Sequence, residues 1–192
     1  MSNLTVSTIS APSTSGNQVS IPAPNVLYAP GHVLQVINTT LYTPTAVAIP
    51  NNATANTNIP DFFATITPKR TTSRILVQVR WFGELSPQTA NWDTMFGLKR
   101  NGTAVGVNPN TAGAATGISM AAIGYYASDA NSTPEMMFFD FYDTPNTTSA
   151  LTYQVYANCT GTPTIFTNRT VTASTAGYEY GSSTITLWEI AA

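Results

Sequence analysis

Residues 74–83, RILVQVRWFG, alternate with a period of two. Ile75, Val77, Val79 and Trp81 fall on one side of an extended chain, and Arg74, Leu76, Gln78 and Arg80 on the other. Nowhere does the chain hold apolar residues at helical spacing beyond two turns, so the core must be made of strands. Further alternating or apolar pieces recur between turn signals: HVLQVIN, FGLKRNGTAVGV, AAIGYYA, EMMFFDFYD, ALTYQVYANCT, TIFTNRTV and SSTITLWEI. Asn101-Gly102 between two such runs is a strong short hairpin signal, and Thr144-Pro145-Asn146 carries turn chemistry. An Asn/Thr-rich loop is expected over 51–58 and a Gly/Ala/Asn-rich stretch over 108–135. Many short strands at regular intervals predict an all-β chain, a jelly-roll-like antiparallel β-sandwich over 31–192.

The first thirty residues have a different texture. Ser2 to Gly31 contain no Lys, Arg, His, Asp or Glu, and Pro12, Pro22, Pro24 and Pro30 keep the segment extended. Its apolar side chains are few: Leu4, Val6, Ile9, Val19, Ile21, Val26, Leu27 and Tyr28. They cannot offset the entropy of ordering the segment by itself. Residues 1–30 therefore read as an extended N-terminal anchoring arm, ordered only where a partner supplies strand edges and pockets. An uncharged arm enters such an interface without desolvating ions.

Composition narrows the function. Charged residues make up 8% of the chain and the net charge is −2, which argues against nucleic-acid binding. No run reaches the apolar length of a membrane span, and the N-terminus lacks the basic and apolar regions of a secretory signal. Asn-X-Ser/Thr sequons are frequent, as Asn/Thr-rich composition dictates, and none is read as glycosylated. The single cysteine, Cys159, excludes an internal disulfide. It shares an alternating face with Tyr153 and Val155 and reads as a small buried hydrophobe.

Few residues offer chemistry. His32 is the only histidine, which leaves metal ligation and a Ser/His/Asp arrangement without support. Asp140 and Asp143, with Glu135 nearby, form an acidic cluster. Their i, i+3 spacing on a strand puts the two aspartates on opposite faces, and Asp143 is placed to cap backbone amides in the following turn. No phosphate loop, nucleophile elbow or metal motif is present. The expectation is a protein that is not an enzyme and has no cofactor and no metal.

Three surfaces remain as candidates for binding. Lys69, Arg70, Arg74 and Arg80 form a basic patch around one strand, suited to a partner or to guarding a strand edge. Trp92, Tyr125 and Tyr126 are placed for glycan contact, whereas Trp81 and Trp188 read as core. Residues 136–142 are apolar on both faces except at Asp140. One face is expected in the core, and the other, with Met136, Phe138 and Tyr142, under a loop or at a subunit interface.

GHVLQV (31–36), ITPKRTTSRILVQV (66–79), LKRNGTAVGV (98–107), DFYDTPNTTSALTYQVYA (140–157), IFTNRT (165–170) and GSSTITLWEI (181–190) together resemble a β domain recurring in structural proteins of tailed phages, cyanophages and other marine or freshwater phages among them. The resemblance implies a virion component, a trimeric jelly-roll knob without catalytic residues that often ends tail fibres. Only about thirty residues precede it here, at most about 100 Å fully extended, and they show no shaft-building repeat. The expectation is a capsid decoration (cement) protein, partnered by the major capsid protein or another virion protein and by copies of itself. A tail-fibre or receptor-binding tip for a host glycan is the alternative. An adhesin or pilus subunit fits the same layout but lacks its secretory signal here.

Overall fold

A computed structural model describes residues 29–50, 56–87, 94–107, 121–122, 131–159, 161–173 and 177–192. The alternating runs become strands in two antiparallel sheets: β1 (Val33–Leu41), β2 (Thr45–Ala48), β3 (Thr57–Ile66), β4 (Arg74–Ser86), β5 (Thr94–Arg100), β6 (Thr103–Val105), β7 (Ala121–Ala122), β8 (Glu135–Asp143), β9 (Leu151–Cys159), β10 (Thr164–Thr167) and β11 (Ser183–Ile190). Among the described residues the one helical piece is a 3-10 turn, Gly177–Glu179. The six-stranded sheet runs β1-β11-β4-β10-β2, with β8 on the opposite edge of β4. The five-stranded sheet runs β3-β9-β5-β6, with β7 beside β5.

The pairing is nested. β1 pairs with β11, β3 with β9, β4 with β8, and β5 with β6. β2 pairs with β10 in the same sheet as β1–β11, and from there inward the nested pairs alternate between the two sheets, as in a jelly roll. The expected all-β sandwich is therefore the fold. The Asn101-Gly102 hairpin forms as read, with both residues at positive φ (49° and 85°), as a two-residue turn matching strand twist requires.

Each strand sends one side inward. Ile75, Val77, Val79 and Trp81 of β4 are buried, as are Tyr153, Val155, Ala157 and Cys159 of β9. Trp81 meets Phe96 across the two sheets at 5.0 Å between ring centroids, and its indole N–H donates to Thr167 Oγ1 at 2.9 Å. Burying each of the large side chains contributes roughly 1.5–3 kcal/mol. Within the region expected as an Asn/Thr-rich loop, Thr57 and Asn58 belong to β3, and 51–55 lie outside the described residues. Of the expected strand at 121–127, Ala121 and Ala122 are described as β7.

The two ends of the sandwich differ. At one end Gly31 N donates to Ala191 O (2.7 Å) and Ala191 N to His32 O (2.8 Å), so the chain leaves residues 1–28 beside the C-terminus. The buried Glu189 carboxylate sits at this end, accepting from Gln35 Nε2, Lys69 N and Ser73 Oγ, each at 2.6 Å. Asp143 is here too. It does not cap the turn as the sequence predicts, because two stronger donors reach it. Arg100 Nη1 lies 2.8 and 2.7 Å from its oxygens, and Tyr153 Oη donates at 2.7 Å. The opposite end holds the finish of β1 and β4 and the start of β8 and β11.

Candidate functional site

The registers set which residues share the outer face of the six-stranded sheet. Val36, Trp188, Leu76 and Tyr142 stand opposite one another across β1, β11, β4 and β8. The next row is Asn38, Thr186, Gln78 and Asp140, and the next Thr40, Thr184, Arg80 and Phe138. Met136 follows beyond, opposite Phe82. Directly opposed residues project to the same side with neighbouring strands about 4.8 Å apart, so the rows form one surface.

That surface is apolar at its β8 margin and open to solvent. Met136 is 52% exposed, Phe138 59% and Tyr142 46%. Their neighbours Met137 and Phe139 are in the core. The strand is thus buried on its inner side alone, and among the described residues no loop covers its outer side. Polar groups are fixed among the rings: Trp188 Nε1 donates to Gln78 Oε1 at 2.9 Å and Asn38 Nδ2 to Thr186 Oγ1 at 2.7 Å. A shallow cleft of about 330 Å³ opens between Gln78, Phe138 and Asp140.

The four basic residues do not form one patch. Lys69 and Arg70 lie in the connection between β3 and β4 at the end where residues 1–28 join. Arg74 opens β4, its guanidinium 5.7 Å from the Tyr142 ring centroid. Arg80 is six residues farther on, about 20 Å along an extended strand, and donates to Ser182 Oγ at 3.2 Å. Arg74 and Arg80 therefore belong to the aromatic surface, as cations set among its rings.

Trp188 corrects the sequence reading. It stands on the outer face, half-buried, while Glu189 points inward. The signal was in the strand itself, since Ile185 and Leu187 fix the inward parity and leave Trp188 on the other side. Val36 and Leu76 were missed for a different reason: their membership depends on strand order. His32 is exposed at the end where residues 1–28 join. Cys159 is buried, with Thr94 Oγ1 at 3.4 Å and Gly161 N at 3.2 Å from its sulfur. Leu4, Val6, Ile9, Val19, Ile21, Val26, Leu27, Tyr28, Trp92, Tyr125 and Tyr126 lie outside the described residues. Among the described residues no group of three or more His, Cys, Asp or Glu side chains could hold a metal ion. No helix among them is long and apolar enough to cross a membrane.

No protein-family model and no curated protein sequence matches the chain. Among solved structures, the chain is similar to one of infectious bursal disease virus, Gx strain, at 14% identity and a TM-score of 0.35, covering 91% of this chain and 41% of that one. It is likewise similar to one of the infectious bursal disease virus VP2 subviral particle, at 11% identity and a TM-score of 0.35, covering 95% of this chain and 43% of that one. The chain thus spans about two-fifths of the length of each.

Proposed function

We propose that this chain is a non-enzymatic structural protein of a phage virion, a capsid decoration protein held by its N-terminal arm and associated with copies of itself, as a homotrimer, through the outer face of the six-stranded sheet. The observation that carries the reading is that face. Met136, Phe138 and Tyr142 are solvent-exposed on the outer side of one strand, with Asp140 between the last two, and exposed apolar side chains interspersed with polar ones are characteristic of a protein interface. The face also offers both signs of charge, Arg74 and Arg80 against Asp140, so a second copy can supply counter-charges as well as rings. The resemblance of its ordered motifs to tailed-phage structural proteins and the uncharged leading segment support a place on a particle.

Two measurements test this. Light scattering after size exclusion is expected to give a multimer for the full chain and a monomer for Phe138→Glu, with the melting temperature of the subunit fold retained. A monomeric full chain overturns the self-association. Deletion of residues 2–28 is expected to leave a folded protein that no longer binds particles, and retained binding overturns the anchoring role.

A further inference from the structure

The turn that leads into β1 reverses the chain. His32 N donates to Ala29 O at 2.9 Å. Pro30 and Gly31 lie between them, with Gly31 at φ 80°. Proline at the second position and a glycine near +80° at the third make this a type II turn. Followed backwards from Ala29, the chain is thus aimed the way β1 runs, toward the Tyr42 end of the sandwich.

β1 has an edge to offer there. It pairs with β11 on one side, and among the described residues no strand pairs with it on the other. Val33 is 41% exposed and Val36 45%. They stand opposite Ile190 and Trp188, both on the outer face, because β1 carries one extra residue between Val33 and Gln35. An exposed edge of this kind is a template for a further strand.

The proline spacing fits the leading segment to that edge. In a paired antiparallel strand the N–H and C=O of one residue point to one edge, and those of the next residue to the other. Ala29 turns its carbonyl toward His32, so odd-numbered residues before it face β1 and even-numbered ones face away. Pro22 and Pro24 are both even-numbered. Their missing N–H groups fall on the outward edge, where an edge strand tolerates proline. Every donor on the inward edge of 19–28 is kept.

We infer that residues 19–28 fold back along the open edge of β1 as a further strand of the six-stranded sheet. Counting back from the turn, and allowing for the extra residue in β1, Tyr28 lies beside Val33 and Val26 beside Val36. The segment thereby covers the two exposed valines. β1 has nine residues, about 30 Å, so the added strand delivers residues 1–18 to the opposite end, beside Tyr42. On the reading proposed above, in which the leading segment holds the protein to a particle, the sandwich stands on that end and not on the one beside the C-terminus.

Amide exchange of the isolated full chain, followed by NMR, tests the strand. The Asn25 and Leu27 amides should exchange about tenfold or more slowly than those of Val26 and Tyr28. Asn25→Pro/Leu27→Pro removes two inward donors and should speed exchange of the β1 amides that face the open edge by about tenfold or more, whereas Val26→Pro should leave them unchanged. An edge strand opens locally, so the melting temperature of the sandwich should not move. Equal exchange of the four amides, or the same response of β1 to both variants, overturns the inference. Directly opposed residues lie about 4.5–5.5 Å apart, within disulfide reach, so oxidised Val26→Cys/Val36→Cys should carry a disulfide within one chain. No disulfide, or one joining two chains, overturns it as well. These readouts need neither a particle nor self-association, so they stand or fall apart from the function proposed above.

Discussion

Gly83 shows how tightly a single position can be held. A Cβ built there would lie 2.0 Å from the carbonyl oxygen of Phe166 and 2.4 Å from the Trp81 ring. Neither backbone nor packed indole can withdraw, so Gly83→Ala should cost about 1–3 kcal/mol or more, read as a lower urea midpoint. Asp143 is held electrostatically, by Arg100 and the Tyr153 hydroxyl. Asp143→Ala strands a partly buried guanidinium and should cost about 2–4 kcal/mol, measured in the same way. The buried phenols set the alkaline limit. Burial raises the pKa of Tyr153, and the Asp143 carboxylate pushes it further in the same direction, while Tyr156 is raised by burial. The unfolded chain releases these protons from about pH 10 and the native one keeps them. Stability should therefore be fully present below about pH 10 and fall as pH rises beyond it. The Tyr156 hydroxyl has no hydrogen-bond partner among the described residues. Tyr156→Phe should thus flatten that decline, seen in unfolding free energies compared at about pH 9 and 11, without a penalty at neutral pH.

At the scale of elements, β3 depends on its neighbour's side chain. The β3–β9 register shifts between Asn58 and Phe63, and Asp61 sits at φ 56° in the bulge between them. The carbonyls of Ile59 and Phe62, freed by the bulge, are met by Gln154 Nε2 at 2.8 and 3.1 Å. Ile59 and Phe62 are fully buried, so the bulge is what turns both into the core. Gln154→Leu removes the donor while leaving the carbonyls enclosed, and should cost about 1–3 kcal/mol. Amide hydrogen exchange should show the effect concentrated in β3 and β9. β8 makes the opposite point. Its inner side is complete within the chain and its outer side is not, so charge at Phe138 should change association while sparing the fold.

The whole molecule has a direction. The leading segment joins at one end, beside the C-terminus; at the other, buried Asn168 builds a framework by donating from Nδ2 to Leu41 O and Thr43 O and accepting at Oδ1 from Ser183 Oγ. Between them the nested pairs bind residues distant in sequence, the first strand with the last. The sandwich from Ala29 onward should therefore fold without residues 2–28. Circular dichroism and thermal unfolding of the shortened chain should match those of the full one, and a loss of cooperative melting would show that the leading segment contributes to the core.

Sequence alone was enough for most strands, though not for β2 and β3, and for the inward parity of β4 and β9, the hairpin at Asn101-Gly102, and the all-β class. All of these rest on local periodicity and on backbone geometry at a turn, and neither needs a distant partner. It also placed Asp140 and Asp143 on opposite faces, since alternation is a property of any extended chain. The aromatic sheet face, the separation of Arg80 from Lys69 and Arg70, the Arg100–Asp143 pair and the Asn168 framework were decided only by the tertiary structure. Each of these joins residues far apart along the chain, and such contacts are fixed by strand order and register, which no local pattern encodes. Asn168 reads in sequence only as one polar residue of the TIFTNRTV run. Only when β1, β10 and β11 meet do the carbonyls and hydroxyl it binds come within reach of a single amide.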